Sequence, residues 1–536
     1  MVPVLFILIS NLLAVSSTTT TSIQSFIQCF TNQNNNSNPL SFPNTTSYHS
    51  ILLSSVQNQR FLISPSSYKP SLIVSATTAS QVQAAITCAR AASLRLRTRS
   101  GGHDYEGMSY SAFKGPDSTP FISLDLSGLR SISIDASSKT GWVQAGATLG
   151  ELYYAIAKKS KTLAFPAGLC STVGVGGHLS AGGIGTLTRK YGASVDNIID
   201  AQLVDVNGRL FNRKAMGEDL FWAIRGAGSA GYGVIIAFKI KLVVVPPVVT
   251  AFNVGRTLRQ NATKVVARWQ ELAHQFDVNL YIRVIAQAST DMDGSKTIQV
   301  TFNSLYLGRQ EELIPLAKRS FPELGLKTTD CTEMSWIESV QFLYSGSGKT
   351  LEMMLDRKPE FNSSFKGTSD FVQHPIAEGR IEEIWKFMIE ANDEPLVLIL
   401  DPMGGRISEI KEDATAFPHR KGNIYNLQYF MRWFETEEGL TEKHLIWMRK
   451  FYEFMTPYVS SKPRAAYYNY KDIDLGRNVE GRVTSYWEAR VWGTKYFKGN
   501  FWRLAKVKAK VDPENFFWNE QSIPVLQSLG VLREFF

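Results

Sequence analysis

Long apolar runs are scarce in this 536-residue chain. Beyond the N-terminus no segment reaches the ~18 apolar residues that a membrane-spanning helix needs. Charge of one sign is not concentrated either. Lysine and arginine exceed the acids, for a net charge of +9, but they are scattered, and no long basic run marks a nucleic-acid footprint. No internal repeat is found, no low-complexity tract beyond the Thr/Asn-rich N-terminal region, and no metal site is expected. Cysteine is rare: Cys29, Cys88, Cys170 and Cys331 are the whole set.

What is present describes a large globular protein. Apolar residues make up 44% and charged residues 20%, enough for a substantial core. The length suits three domains of ~150 residues or two larger ones. Aromatics at 12% suit a site for a planar ligand as well as they suit an aromatic core. The N-terminal VPVLFILISNLLAVSS reads as a secretory signal peptide over residues 1–21, although it lacks a leading lysine or arginine. Sequons at Asn35, Asn44, Asn261 and Asn362 agree with passage through the secretory pathway, to the extracellular space (apoplast) or a vacuole. In that oxidising compartment we pair Cys29 with Cys88, tying the mature N-terminus to the first helix. Cys331 is then expected to be a buried, inert thiol. Cys170 is left without a packing role.

Cys170 opens the most unusual stretch, GLCSTVGVGGHLSAGGIG, from Gly168 to Gly185. Seven of its eighteen residues are glycine. Such a run lets the backbone approach a flat or charged ligand closely. A second stretch, Arg99-Ser-Gly-Gly-His103-Asp-Tyr105-Glu-Gly107, follows an alternating Leu94/Leu96 strand. Its Ser100, Gly101 and Gly102 can offer N–H groups to a pyrophosphate, with Arg97 or Arg99 beside them. His103 sits at the tip.

The first part of the chain reads as αβ. A strand at Leu72–Val74 precedes a helix opened by a Ser80/Gln83 capping box. Strands follow at Phe121–Leu126 and Thr140–Ala145, then a helix at Leu149–Lys158. The strand Ile198–Val206 meets an Asn207-Gly208 turn, a strong hairpin signal. A helix is expected around Glu218–Ile224. Gly226–Gly231 matches GxGxxG, but it follows a helix and precedes a strand (Val234–Val244), the reverse of the dinucleotide-binding order. From Thr250 strands (Leu280–Ile285, Ile298–Leu307, Leu396–Leu400, Ile424–Phe430) alternate with helices (Thr263–Gln275, Gln310–Arg319, Arg380–Ile389, Thr441–Phe454). The aromatic C-terminal part, ending in a long helix, is expected to return its apolar faces to the first lobe.

RSGGHDYEG, the Cys170 glycine run, DLFWAIRGAG, AAYYNYKDIDLG, YWEARVWGTKYF and FFWNEQSIP, in this order, resemble the plant berberine bridge enzyme-like flavoproteins of the vanillyl-alcohol-oxidase type. The resemblance covers nearly all of the mature chain. It implies an α+β, two-domain PCMH-type FAD-binding fold: residues 22–245 as the first part of the FAD domain, 246–465 as an antiparallel-sheet substrate domain with helices, and 466–536 returning to the FAD domain. It implies FAD bonded twice, through His103 to the 8α-methyl group and through Cys170 to C6. Val173, Gly174, Gly177, His178 and Gly182 are expected to line the flavin, and Val173 matches a position where valine goes with oxygen reactivity. Tyr470 matches a tyrosine base, with Tyr468 on the same face if YYNYKD is a strand. A tyrosine of ordinary pKa ~10 needs cationic neighbours to serve as a base. Tyr105 matches another site tyrosine. Gln428 stands where the alkaloid-cyclising enzyme carries a catalytic glutamate, Asn426 where phenolic-alcohol oxidases carry lysine, and Ile184 where a third aromatic is often found. Arg432 is unusual, and Arg283 is expected across the sheet from it.

The implied reaction is transfer of a substrate hydrogen to FAD with reoxidation by O2. The substrate is expected to be a phenolic, alkaloid or similar small molecule, and the protein a monomer. Two alternatives stand beside it. One is a pericyclic catalyst that keeps FAD but performs an intermolecular Diels–Alder reaction, for which an arginine pair would polarise a carbonyl. The other is a carbohydrate oxidase used in defence.

Overall fold

The computed structural model describes residues 21–34, 39–64, 67–113, 119–346, 348, 350–359, 362–391, 394–479 and 481–526. The signal-peptide reading falls almost wholly outside them, as does Asn35. Asn44, Asn261 and Asn362 are all exposed.

Two sheet systems organise the chain. In the first half, Leu72–Ser75, Phe121–Asp125 and Arg95–Arg99 form a parallel sheet, with the short strand Leu40–Ser41 antiparallel at its edge. The helix Ala79–Ala91 makes the crossover between two of these strands, as parallel pairing requires. Its start lies two residues before the Ser80 cap read from sequence. Thr78 accepts from the Gln81 N–H, and the Gln81 side chain accepts from the Thr77 N–H. Thr-x-x-Gln satisfies the same free donors as Ser-x-x-Gln, so the two overlapping motifs compete and the earlier one wins. Cys29, in the helical run 21–33, is bonded to Cys88 of this helix, with Cα atoms 5.7 Å apart.

A second, antiparallel sheet runs Leu210–Phe211, Ile198–Val204, Val234–Lys241, Thr140–Gln144, Ile132–Asp135. The Asn207-Gly208 turn closes its hairpin, with Gly208 at φ 75°. The following helix begins earlier than expected, at Arg213, and is broken at Gly217, whose φ of 76° no helix interior adopts. Gly226–Gly231 does lie between this helix and the strand Val234–Lys241.

The middle of the chain builds a seven-stranded antiparallel sheet. Its spatial order is Cys331–Met334, Val249–Arg256, Lys296–Tyr306, Leu280–Thr290, Leu396–Pro402, Tyr425–Trp433, Ser364–Val372. The helices Ala262–Leu272, Glu378–Glu390 and Glu438–Phe454 cover one face. That core is separate from the one around the first two sheets. Three of the seven strands, Val249–Arg256, Cys331–Met334 and Ser364–Val372, were not expected from sequence. Cys331 is half-buried rather than buried. Burial first, and then Asp330, push its thiol up to about 11, which keeps it protonated.

The aromatic C-terminal part contains two helices, Tyr486–Phe497 and Asn500–Val511, rather than one. Lys498 and Gly499 break them, Lys498 at φ 46°. Trp492, Phe501 and Leu504 share a core with Tyr232 and Phe238 of the first half. Two charged contacts reinforce this packing. Arg97 donates to both carboxylate oxygens of Glu520, and Lys508 to the Gly231 carbonyl.

Candidate active site

The two systems meet at a cavity of about 570 Å³. One wall comes from the loop after Arg95–Arg99 and from the glycine run. The other is the face of the seven-stranded sheet opposite the helices Ala262–Leu272, Glu378–Glu390 and Glu438–Phe454. The segment Tyr467–Lys471 closes one side.

The loop wall is built by close backbone contact. A Cβ on Gly101 would fall 2.3 Å from the Gly174 nitrogen, and one on Gly174 would fall 2.2 Å from the Gly101 nitrogen. Glycine at both positions therefore lets the two loops touch. Gly102 has φ +69° and runs against the Ser55 carbonyl. Gly177 faces open space, with nothing within 4 Å of a Cβ placed there. The contact brings His103 and Cys170 to one point. His103 Nε2 lies 2.9 Å and Cys170 Sγ 3.4 Å from the same Thr172 hydroxyl. Burial, and then His178, push the His103 imidazole down to about 3, so it is neutral. His178 is held neutral by burial, down to about 4, and its Nε2 accepts from the Gly168 N–H. These residues fit a flavin: an open glycine floor, an unprotonated imidazole and a free thiol lie side by side on one wall. Ser100, Val173 and His178 line this wall.

Three residues expected at the cofactor, Arg99, Arg97 and Gly182, are elsewhere. Arg99 is fully buried, with its guanidinium bound to Asp125 at 2.6 Å and to the carbonyls of Leu52 and Ile51. It anchors the strand end and does not line the cavity. Arg97 is likewise taken by Glu520. Gly182 lies under the Tyr467 ring, where a Cβ would come within 2.7 Å of it. It makes room for that ring, whose hydroxyl accepts from the N–H groups of Gly183 and Ile184.

YYNYKD is a turn and not a strand, since the Tyr470 N–H donates to the Tyr467 carbonyl. Tyr468 and Tyr470 consequently part company. The Tyr468 ring packs on Tyr496 and Phe497, while the residue also lines the cavity. Tyr470 packs edge-on against Tyr467 and stacks on Tyr105, with centroids 5.5 Å apart and planes at 8°. Tyr105 in turn receives a 2.6 Å hydrogen bond from Gln428 and meets Phe365 edge-on. Nothing here lowers Tyr470 toward a base. Burial, Asp401, Tyr105, Tyr467 and Tyr281 all push its phenol well above the usual tyrosine value. Tyr105 is raised by burial too, opposed by Gln428 and Arg432.

Gln428, Phe430 and Arg432 point into the cavity from the strand Tyr425–Trp433. Arg432 lies over the Phe430 ring at 5.2 Å. Arg283 is on the same sheet face but not across from Arg432. The ladder sets Val284 against Leu400 and Asp401 against Asn426, so Arg283 belongs at the Asn426 end. Arg432 lies six positions from Asn426, roughly 20 Å along the strand at ~3.3 Å per residue. No arginine pair forms, because the register separates the two. Arg283 instead donates to Asn303 Oδ1 at 2.8 Å and to the Leu343 carbonyl. Asn426 is fully buried and donates to the Asp370 carbonyl.

Asp401 was missed in the sequence. It ends the strand Leu396–Pro402 on the cavity face, is 7% exposed, and accepts a hydrogen bond from the Tyr281 hydroxyl. Strand alternation with Ile399 places it on that face, but only the ladder with Asn426 and the neighbouring strand of Arg283 reveals the company it keeps. Thr172 and Tyr467 were missed as well.

Comparison with known proteins agrees with this geometry. Residues 70–213 match the FAD binding domain model and residues 466–524 the model for berberine and berberine-like proteins. Berberine bridge enzyme-like 23 of Arabidopsis thaliana is 48% identical over 519 residues, 95% of each chain. Tetrahydroberberine oxidase of Berberis wilsoniae is 47% identical over 528 residues, 98% of each. Among solved structures, wild-type Phl p 4.0202, a glucose dehydrogenase, superposes with a TM-score of 0.88 at 43% identity, over 94% of this chain and all of that one. A Phl p 4 variant with one isoleucine changed to valine, a glucose oxidase, gives the same values.

Proposed function

This chain belongs to the berberine bridge enzyme-like family of FAD-linked oxidoreductases, and from that premise we propose that it is a secreted FAD-dependent oxidase of plant specialised metabolism acting on a phenolic, alkaloid or similar small molecule. The observation that carries this reading is the meeting of His103 and Cys170 at Thr172, facing a wall of Tyr105, Gln428 and Tyr470 across one cavity. His103 and Cys170 would hold FAD by two covalent bonds, over Gly174 and Gly177. Bound FAD supplies the acceptor for the substrate's C–H hydrogen and its electron pair, and O2 takes the electrons on as H2O2.

The chain's own residues bind and orient. The stacked Tyr105 and Tyr470, with Phe430, give an aromatic surface for a ring. Gln428 fixes Tyr105, and Tyr470 remains a phenol that donates to the substrate. A valine at 173, beside Cys170, supports an oxidase over a dehydrogenase; the two Phl p 4 activities indicate how much one valine can decide in this fold. The Cys29–Cys88 bond and three exposed sequons support secretion.

A second reading, a carbohydrate oxidase, is favoured by the glucose dehydrogenase among the structural relatives. The cycloaddition reading loses its support with the arginine pair. One experiment separates the readings. The yellow protein is mixed anaerobically with a phenolic alcohol, a tetrahydroprotoberberine or glucose, and air is then admitted. Bleaching by one of the first two, followed by peroxide, supports the proposal. Bleaching by glucose alone replaces it with the sugar oxidase, and protein purified without flavin overturns both.

A further inference from the structure

Two acids line the cavity, Asp104 and Asp401. Asp104 accepts from the Glu106 and Met108 N–H groups and pairs with Lys471 at 3.8 Å, which leaves Asp401 as the acid without a role. Asp401 Oδ1 accepts from the Tyr281 hydroxyl. Oδ2 has no hydrogen bond from any described residue, and the residue lines the cavity beside Gln428 and Tyr470. Among the described residues, the polar groups around it are Tyr281 and Arg283 from the strand Leu280–Thr290, Asn426 as its ladder partner, and Tyr467 and Tyr470 from the closing turn. Arg283 is the one cation among them. The tyrosines here are fixed as phenols, so none can take a proton at neutral pH.

Resting on the oxidase reading above, we propose that Asp401 is the cavity's proton acceptor, taking the O–H or N–H proton of the substrate on Oδ2. The bond that breaks is the substrate O–H or N–H, and the bond that forms is Oδ2–H. The electron pair left on oxygen or nitrogen becomes the new C=O or C=N bond. The C–H hydrogen leaves with its pair to the FAD, and the carboxyl then returns the proton to solvent. The geometry favours this use. Burial raises the carboxyl's affinity for a proton, while Arg283 and then the Tyr281 bond oppose that rise. The net direction is upward, toward a carboxyl that takes up a proton more readily than an exposed one.

The test uses Asp401→Asn, which keeps an acceptor for Tyr281, together with Arg283→Gln and Tyr281→Phe. In the flavinylated wild-type protein kcat/KM falls on the acid side as Asp401 is protonated. Asp401→Asn should lose that limb and about 10²–10⁴-fold in rate, the usual worth of a positioned base. Arg283→Gln and Tyr281→Phe should each move the limb to higher pH, because each removes a group that favours the carboxylate. A readout without turnover is the ionisation of bound 4-nitrophenol, followed by its phenolate absorbance in difference spectra. The Asp401 carboxylate opposes a phenolate beside it, so Asp401→Asn should lower the bound probe's apparent pKa. An acid limb that survives in Asp401→Asn, or bound-probe absorbance that does not respond to the substitution, overturns the assignment. Protein that carries flavin but oxidises nothing overturns the oxidase reading instead, and the nitrophenol titration still decides Asp401.

Discussion

The Thr172 hydroxyl couples His103 and Cys170, the two residues proposed to attach the flavin. It touches His103 Nε2 at 2.9 Å and Cys170 Sγ at 3.4 Å, so it orients the imidazole and restrains the thiol together. Thr172→Val keeps the shape and removes the hydroxyl. Slower double attachment is expected, read as a mixture of singly and doubly bonded flavin peptides by mass, against one doubly bonded species in the parent. His178 makes a separate, pH-dependent contribution. Its imidazole is held neutral, down to about 4, while in the unfolded chain it titrates near ~6.5. Between these values the unfolded chain binds a proton that the folded one does not. Stability is therefore complete above the unfolded value and is lost as pH falls through 6.5 toward 4. His178→Gln retains an acceptor for the Gly168 N–H, so its Tm should fall less steeply over that range. His103 and Cys170 were legible from sequence because a lone histidine after Gly-Gly and a lone cysteine in a glycine run have no packing explanation. Thr172, an ordinary residue two positions from Cys170, carried no such signal.

The strand Ser364–Val372 explains much of what was not legible at the level of elements. Its sequence, SFKGTSDFV, has neither clean alternation nor an apolar run, yet all nine residues are buried. Its polar groups are satisfied across the molecule. Lys366 reaches Glu106 and Asp472, both at 2.5 Å, and Asp370 is held by Arg464 at 2.6 Å. A single sequence does not reveal partners 106 or 260 residues away, so a buried edge strand reads as a loop. Lys366→Met would leave Glu106 and Asp472 buried against too little positive charge. A loss of about 3–5 kcal/mol is expected, checked by chemical denaturation. Gly367 next to it faces Tyr105, and a Cβ there would fall 2.5 Å from the ring. Gly367→Ala should push Tyr105 away from Gln428 and Tyr470. The expected outcome is a drop in kcat/KM with flavin content unchanged. The turn Tyr467–Tyr470 was misread for the opposite reason: three tyrosines with strand-like side chains are held in a turn by the Gly183 and Ile184 N–H groups and by core packing. Local propensity lost to tertiary contacts in both places.

At the scale of the whole molecule, the cavity exists only if the glycine-run wall and the sheet wall stay in register, and Arg189 is the rivet between them. It follows the glycine run in the short helix Thr188–Tyr191, is 1% exposed, and has no acid within hydrogen-bonding reach among the described residues. Its guanidinium donates instead to carbonyls of the other unit: Met403 at 3.1 Å, Asp277 at 3.1 Å, Phe276 at 2.6 Å, and Leu280 and His274. Met403 lies two residues beyond Asp401, and Leu280 one residue before Tyr281. Burial pulls its pKa down to about 10, which still leaves it charged at neutral pH. Arg189→Met would strand those carbonyls without a donor, at a cost on the order of 3 kcal/mol. The loss should appear in a particular way. Each unit keeps its own core, so flavin attachment, proposed at His103 and Cys170 of the first, should survive. Asp401 and Tyr281 should lose their position relative to the flavin wall. The expected signature is full flavin content with a lower Tm, a reduced kcat, and weaker binding of 4-nitrophenol. A variant that loses flavin in proportion to activity would place Arg189 in the folding of the first unit rather than in the alignment of the two.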